Sequence, residues 1–201
     1  MIIERMEQGT PEWMQARAGV PTSSNFDKII TTQGKPSKQR EKYMYQLAAE
    51  RVTGVKDDTY KNGLMERGNI MEAEARAMYE LLTGNTVEQV GICYPDEKKL
   101  CGCSPDGLVG KDGLLEIKCP SAPVHVSYLL TGELPKDYFQ QVHGQLLVTG
   151  RKWVDFFSFY PGLKPLLLRV TPDKLFIELL RAELTTFCEE LNEVTERIRS
   201  V

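Results

Sequence analysis

The chain is 201 residues long, the size of one large domain, and with 41% hydrophobic against 26% charged residues it has the material for a packed core and is no disordered tail. A formal net charge of −3 argues against coating nucleic acid with a broad basic surface, though not against an enzyme that gathers positive charge in one cleft. No apolar run approaches the ~20 residues that span a bilayer, and the opening MIIERMEQGTPEW lacks the apolar stretch of a secretion signal, so a cytoplasmic protein is expected.

Along the chain, Thr10-Pro11-Glu12 places an N-cap residue before a proline at the first helical position, so a short helix begins there. A second helix is expected from about Thr22 to the Gly34-Lys35-Pro36 breaker, and a third from about Ser37 to Val52, ending near Gly54. Where these two meet, TTQGKPSKQREK (31–42) sets Lys35, Lys38, Arg40 and Lys42 against Glu41, which suits a solvated loop as well as contacts to DNA. From Asn62 to Leu82, Met71, Ala75, Met78 and Leu82 recur at helical spacing, and Gly84 closes the run.

The period then changes to that of strands over 86–95, 103–110, 113–120, 153–160 and 166–170, with a buried helix over 138–149 among them. From Thr171-Pro172-Asp173 to Ser200 a long terminal helix aligns Leu180, Leu184, Phe187, Leu191, Val194 and Ile198 in one seam. That seam suits packing on the sheet or contact with a partner. Five cysteines without a CxxC pair, and two histidines, point to reduced thiols rather than disulfides, a structural zinc site or an iron–sulfur cluster. With no repeat or linker, the economical organisation is one α/β domain: a helical part over about 10–82, a sheet-containing core over about 85–171, and a terminal helix over about 172–200.

The stretch CSPDGLVGKDGLLEIKCP (103–120) carries the chemistry. Asp112-Gly113 reads as a turn between two apolar strands, and a turn centred near Lys111 sets Asp106 across from Glu116. Alternation then puts Glu116 and Lys118 on one face and Leu115 and Ile117 on the other. Two carboxylates and an ammonium converging at strand ends suit Mg²⁺ or Mn²⁺ and the hydrolysis of a phosphodiester. An exposed Glu–Lys hairpin would show the same spacing, but charged side chains alternating with Leu114, Leu115, Ile117 and Cys119 need a reason. Glu72, beside the apolar stripe of its helix, is a third carboxylate, and a surface ion pair with Arg76 is its plainer explanation.

Together with three further blocks, this stretch resembles the YqaJ-type viral recombinases, the lambda-exonuclease family of PD-(D/E)xK nucleases. PEWMQARAGVPTSSNF is similar to the family's Trp…Arg…Gly…Thr-x-Ser block, GNIMEAEARAMYELLTG to its Gly-x-x-x-Glu-x-x-Ala-Arg helix, and YFQQVHGQLLVTGRKWVDFF to its Tyr-x-x-Gln-Val helix and following strand. The resemblance implies a restriction-endonuclease-like α/β core with a central mixed sheet flanked by helices. It implies that Asp106, Glu116, Glu72 and the Ile117 carbonyl hold two Mg²⁺ ions, with Mn²⁺ a possible substitute. Lys118 would position the attacking water and Gln141 would assist by hydrogen bonding. Arg17, Ser24 and Ser104 would bind a 5′-terminal phosphate, and Met65 stands where the family places a strand-separating wedge. Asp96 matches an acidic family position, while His143 departs from a family glutamine.

The expected activity is a 5′→3′ exonuclease on linear double-stranded DNA that leaves a 3′ single strand for recombination by annealing, in a phage or prophage setting. The expected partners are double-stranded DNA ends, two further copies in a homotrimeric ring, and a phage-type single-strand annealing protein, without a membrane. An endonuclease acting on structured or specific DNA and a non-catalytic DNA-end binding module stand as alternatives.

Overall fold

The Thr10 hydroxyl accepts the Trp13 N–H at 3.3 Å and Pro11 opens helix α1 (Pro11–Arg17), as the residue types dictate. The computed structural model describes residues 1–56 and 63–201, and the side chains of 1–56 and 71–201. The expected second helix is instead a 3₁₀ helix (Ser23–Lys28). Ile30 pairs with Pro36 across a turn at Gly34, and the Ser37 N–H returns to the Ile29 carbonyl at 2.9 Å, so bonds that would extend a helix close this turn. Helix α2 (Arg40–Thr53) ends at Gly54, whose φ of +70° is left-handed, and α3 (Gly63–Thr83) ends before Gly84 in the same way.

Strand β1 (Ile2–Glu4) pairs antiparallel with β3 (Ile92–Tyr94) in a small ribbon. The main sheet has β2 (Val87–Glu88), β4 (Gly107–Val109), β5 (Gly113–Lys118), β6 (Trp153–Ser158) and β7 (Leu166–Val170) in the order β2-β4-β5-β6-β7. Only β5 and β6 run parallel, because helices α4 (Ala122–Thr131) and α5 (Phe139–Thr149) carry the chain back between them. Helix α6 (Lys174–Arg199) closes the chain, with the Asp173 carboxylate accepting the Phe176 N–H at 3.0 Å. Three elements were not expected: β1, too short to show alternation, α4, whose signals are Pro123 in the first turn and Gly132 after the last, and a 3₁₀ helix (Lys136–Tyr138) before α5; the strand expected over 86–95 is divided into β2 and β3.

Alternation along β5 sorts the core. Leu114 joins Val154, Phe156 and the apolar faces of α2, α5 and α6, while Leu115 and Ile117 join Phe157 and Met71, Ala75 and Tyr79 of α3. Glu116 and Lys118 therefore face α5, and α3 covers the opposite side of the sheet. In the α6 seam Leu180, Leu184, Phe187 and Leu191 are buried within the chain, Val194 partly, and Ile198 is exposed. The seam is thus spent mainly on internal packing.

The β4–β5 register pairs Gly107 with Leu115, Leu108 with Leu114 and Val109 with Gly113, which centres the hairpin on Lys111. The turn chemistry differs from expectation. The left-handed residue is Gly110 (φ +54°), and Gly113 already belongs to β5. A side chain at Gly113 would collide with the Trp153 ring, since a Cβ there would stand 2.1 Å from it. Arg151 ties the turn to the sheet by donating Nη1 to the carbonyls of Gly110 and Gly113 at 2.9 and 2.7 Å.

Candidate active site

Asp106 lies just before β4, opposite Glu116. Its N–H donates to the Leu115 carbonyl at 3.1 Å, and its Oδ2 accepts the Ile117 N–H at 2.5 Å. Residues two apart on a strand turn their backbone groups to the same edge, so the Ile117 carbonyl also faces the Asp106 side. Glu116 is 1% exposed. Its Oε1 accepts Gln141 Nε2 at 2.6 Å and pairs with the Lys118 ammonium, and its Oε2 accepts Gln145 Nε2 at 2.5 Å. The Lys118 ammonium also sits 4.9 Å from the Tyr138 ring centre, a cation–π contact.

Electrostatics bind these groups into one unit. Burial pushes the Asp106 carboxyl well above the usual carboxylate range, and the Glu116 charge adds to the push. The Lys118 charge and the Ile117 N–H pull it back, while the Glu72 charge raises it further. For Lys118, burial favours the neutral amine, but the charges of Glu116 and Asp106 outweigh it and hold the ammonium above its ordinary value. Lys118 is therefore a donor and a positive charge in this arrangement rather than a proton acceptor.

Glu72 is on the far side of the sheet, on α3, yet its charge is felt by Asp106 and Cys119 at the strand ends. Its nearest partner is Arg76, whose Nη2 donates to Oε1 at 2.6 Å, the plainer of the two roles open to it. Among the described residues no three Asp, Glu, His or Cys side chains form a ready-made metal cage. Mg²⁺ does not require one, since it binds through one or two carboxylates and keeps several waters for exchange with phosphate oxygens. Asp106, Glu116 and the Ile117 carbonyl fit that demand, and the burial and the Glu116 charge that together keep Asp106 hard to ionise are what a cation would offset.

A second polar cluster stands beside the first. Arg17, 7% exposed at the end of α1, donates Nη1 to Ser104 Oγ at 2.9 Å and Nη2 to Thr22 Oγ1 and Ser24 Oγ at 3.1 and 3.2 Å. Its guanidinium stacks on Trp13, 4.4 Å from the ring, and the Lys56 ammonium lies 5.5 Å from the same ring. The Trp13 indole N–H donates to the Gly91 carbonyl at 2.9 Å and to Ser104 Oγ at 3.2 Å. Behind Arg17 the turn is locked at Gly19 (φ +68°): the Glu50 carboxylate accepts its N–H at 2.9 Å and Arg51 Nε donates to its carbonyl at 2.7 Å. Ser24 is exposed at the mouth. A planar fork flanked by hydroxyls suits a phosphate.

The two clusters are covalently close. Ser104 of the guanidinium cluster is two residues from Asp106, at most ~7 Å of extended chain. Gly144 of α5 lets Phe26 approach so closely that a Cβ there would lie 2.5 Å from its ring, bringing the Ser23–Ser24 segment against the helix of Gln141.

Of the residues read as site members, Asp106, Glu116, Lys118 and Gln141 come together, and so do Arg17, Ser24 and Ser104. Lys35 and Lys38 are exposed beside the Gly34 turn. Arg40, expected as a possible DNA contact, fastens α2 to α6 through Glu183 (2.7 Å) and Glu190 (2.6 Å) over the Phe187 ring. The Met65 side chain lies outside the described residues. Asp96 accepts the Lys98 N–H at 2.9 Å in an exposed turn. Sequence reasoning missed Thr22 and Trp13 in the guanidinium cluster and Gln145 on Glu116. The signal for Gln145 was its place four residues after Gln141, on the same helix face.

A mixed sheet with an Asp…Glu-x-Lys hairpin, backed on one face by a glutamine-bearing helix and on the other by a carboxylate-bearing one, defines the PD-(D/E)xK nuclease fold class. The sequence pattern of the YqaJ-like viral recombinase domain matches residues 12–152, and the chain belongs to that family. Among solved structures it is similar to the alkaline exonuclease LHK-Exo of Laribacter hongkongensis, at 34% identity over 95% of this chain and 97% of that one, with a TM-score of 0.86. The same figures hold for LHK-Exo in complex with dAMP. A phage-related exonuclease of Haemophilus somnus 129PT shares the fold at 13% identity, over 89% of this chain and 96% of that one, with a TM-score of 0.70. No curated protein sequence matches. No helix among the described residues is long and apolar enough to cross a membrane.

Proposed function

We propose that this protein is a DNA exonuclease, Mg²⁺-dependent, that digests one strand of linear double-stranded DNA from its 5′ end and leaves a 3′ single strand for recombination by annealing. The observation that carries the reading is the placement of the Arg17–Thr22–Ser24–Ser104 cluster two residues of chain from Asp106. An anion pocket so close to paired carboxylates suits an enzyme that grips a terminal phosphate while the next linkage lies at the carboxylates. Such an enzyme releases nucleoside 5′-monophosphates, the chemical class of the dAMP bound to LHK-Exo.

Asp106 and Glu116 would hold Mg²⁺, with the Ile117 carbonyl and Glu72 as further ligands for one or two ions. The metal, when bound, supplies Lewis-acid activation of the phosphate and a water acidic enough to attack near neutral pH. The chain's own residues supply the rest. Gln141 holds Glu116 in place, and the Lys118 ammonium offsets charge that develops on the phosphate oxygens and orients the attacking water. Arg17 and its hydroxyls fix the end of the strand, converting cleavage into a positioned step. The trimeric ring on DNA and the single-strand annealing partner rest on membership of the family. A ring that encircles the duplex suits a chain of net charge −3, since topology then replaces part of the salt-sensitive attraction.

The test compares 5′-phosphorylated, 5′-hydroxyl and closed circular duplexes, end-labelled on each strand, with and without Mg²⁺. The expected result is Mg²⁺-dependent loss of label from the 5′ end of phosphorylated linear duplex. Circles cut as fast as linear ends would overturn the exonuclease reading in favour of an endonuclease.

A further inference from the structure

Gln145 takes no part in the roles assigned above, yet it is 0% exposed and holds the most buried carboxylate of the site. Its Nε2 donates to Glu116 Oε2 at 2.5 Å, while Gln141 and Lys118 both serve Oε1. Among the described residues, Gln145 is thus the side-chain donor to one half of that carboxylate. Its own amide oxygen is buried with no hydrogen-bond partner among the described residues. Turning the amide over would not help, because the oxygen would then face the Glu116 carboxylate. A buried carbonyl left unsatisfied costs stability, but an apolar side chain here would in turn leave the buried Glu116 Oε2 without this donor, so the two costs oppose each other. What the amide does at this position is orient Glu116.

We propose that Gln145 is a positioning residue that fixes the Glu116 carboxylate for metal binding. The proposal rests on the metal-dependent nuclease reading. With Oε2 released, the carboxylate can pivot on the Gln141–Lys118 side alone, and a ligand free to pivot binds metal less tightly.

The test is Gln145→Met, an apolar side chain of similar length, with Gln145→Leu as a second variant should the first fold poorly. Three quantities are read: the thermal midpoint of the metal-free protein, Mn²⁺ affinity by calorimetry, and kcat and KM on 5′-phosphorylated linear duplex. The expected result is a modest change in midpoint, Mn²⁺ affinity reduced about ten- to a hundredfold, and a lower kcat with KM for the DNA end preserved. Wild-type Mn²⁺ affinity and kcat in the variants would overturn the proposal. So would a steep fall in midpoint with Mn²⁺ affinity retained, the mark of a purely structural residue. If the wild-type protein neither bound Mn²⁺ nor degraded DNA, the site reading itself would fall and this proposal with it. That outcome is distinct from active wild type with indifferent variants.

Discussion

Replacing Arg17 with lysine keeps the positive charge of its hydroxyl cluster but removes the fork. The guanidinium reaches Ser104 with one terminal nitrogen and Thr22 and Ser24 with the other, so it is held flat and pre-aimed in a site that is 7% exposed at this residue. A lysine ammonium can meet one phosphate oxygen as a point charge but cannot reproduce two parallel N–H donors. A hydrogen bond to a charged group contributes about 1.5–3 kcal/mol, and ~1.4 kcal/mol is a factor of ten, so losing one arm lowers the preference for a 5′-phosphate about ten- to a hundredfold. The assay is single-turnover degradation of blunt duplexes with 5′-phosphate or 5′-hydroxyl ends, at saturating Mg²⁺, alongside a thermal melt to confirm folding. The expected pattern is a slower reaction on phosphorylated ends with the hydroxyl-end rate little changed. Full retention of the preference, or an equal loss on both ends, would refute the assignment of this cluster to the terminal phosphate.

Two further outcomes follow from the packing. His143 is buried against Phe139 and Phe176, with Nδ1 2.9 Å from the Phe139 carbonyl; burial lowers its pKa, and that carbonyl and Asp173 only partly restore it. The unfolded chain then binds the proton first as pH falls below about 6.5, so the contribution of neutral His143 is intact above that value and is lost toward its depressed folded pKa. Thermal melts of wild type and His143→Gln between pH 7.5 and 5 should show the wild type losing more stability in acid, and a constant gap between them would contradict this. Arg40→Met removes the cation that joins Glu183 and Glu190 across α2 and α6 while keeping contact with Phe187. This partly buried network should cost about 1–3 kcal/mol, a drop of several degrees in midpoint, with the preference for 5′-phosphate unchanged. Loss of that preference would show that Arg40 also serves DNA binding.

Local rules made much of this protein legible. A Thr-Pro pair started α1, glycines in the left-handed region ended α2 and α3, and a hairpin centred on Lys111 set Asp106 against Glu116 before any coordinate was known. These depend on neighbours in sequence, on backbone sterics and on the two-residue period of a strand, all of which the chain states outright. The segment after Thr22 misled, because a helix start and a Gly34-Lys35-Pro36 breaker could not reveal that Ile30 would pair with Pro36 instead of continuing a helix.

The site divides along the same line. Residue types and spacing determined the hairpin that joins Asp106, Glu116 and Lys118, and family likeness pointed to Arg17, Ser24 and Ser104. Only the tertiary structure decided that Arg17 would meet Ser104 across 87 positions of sequence, and that Thr22 and Trp13 would join them. It also turned Arg40 inward to α6, and closed both oxygens of Glu116 with amides from one helix. Contacts of that kind depend on how the sheet and its helices stack, and on which partner satisfies each buried polar group. The order of residues along the chain does not contain that information locally.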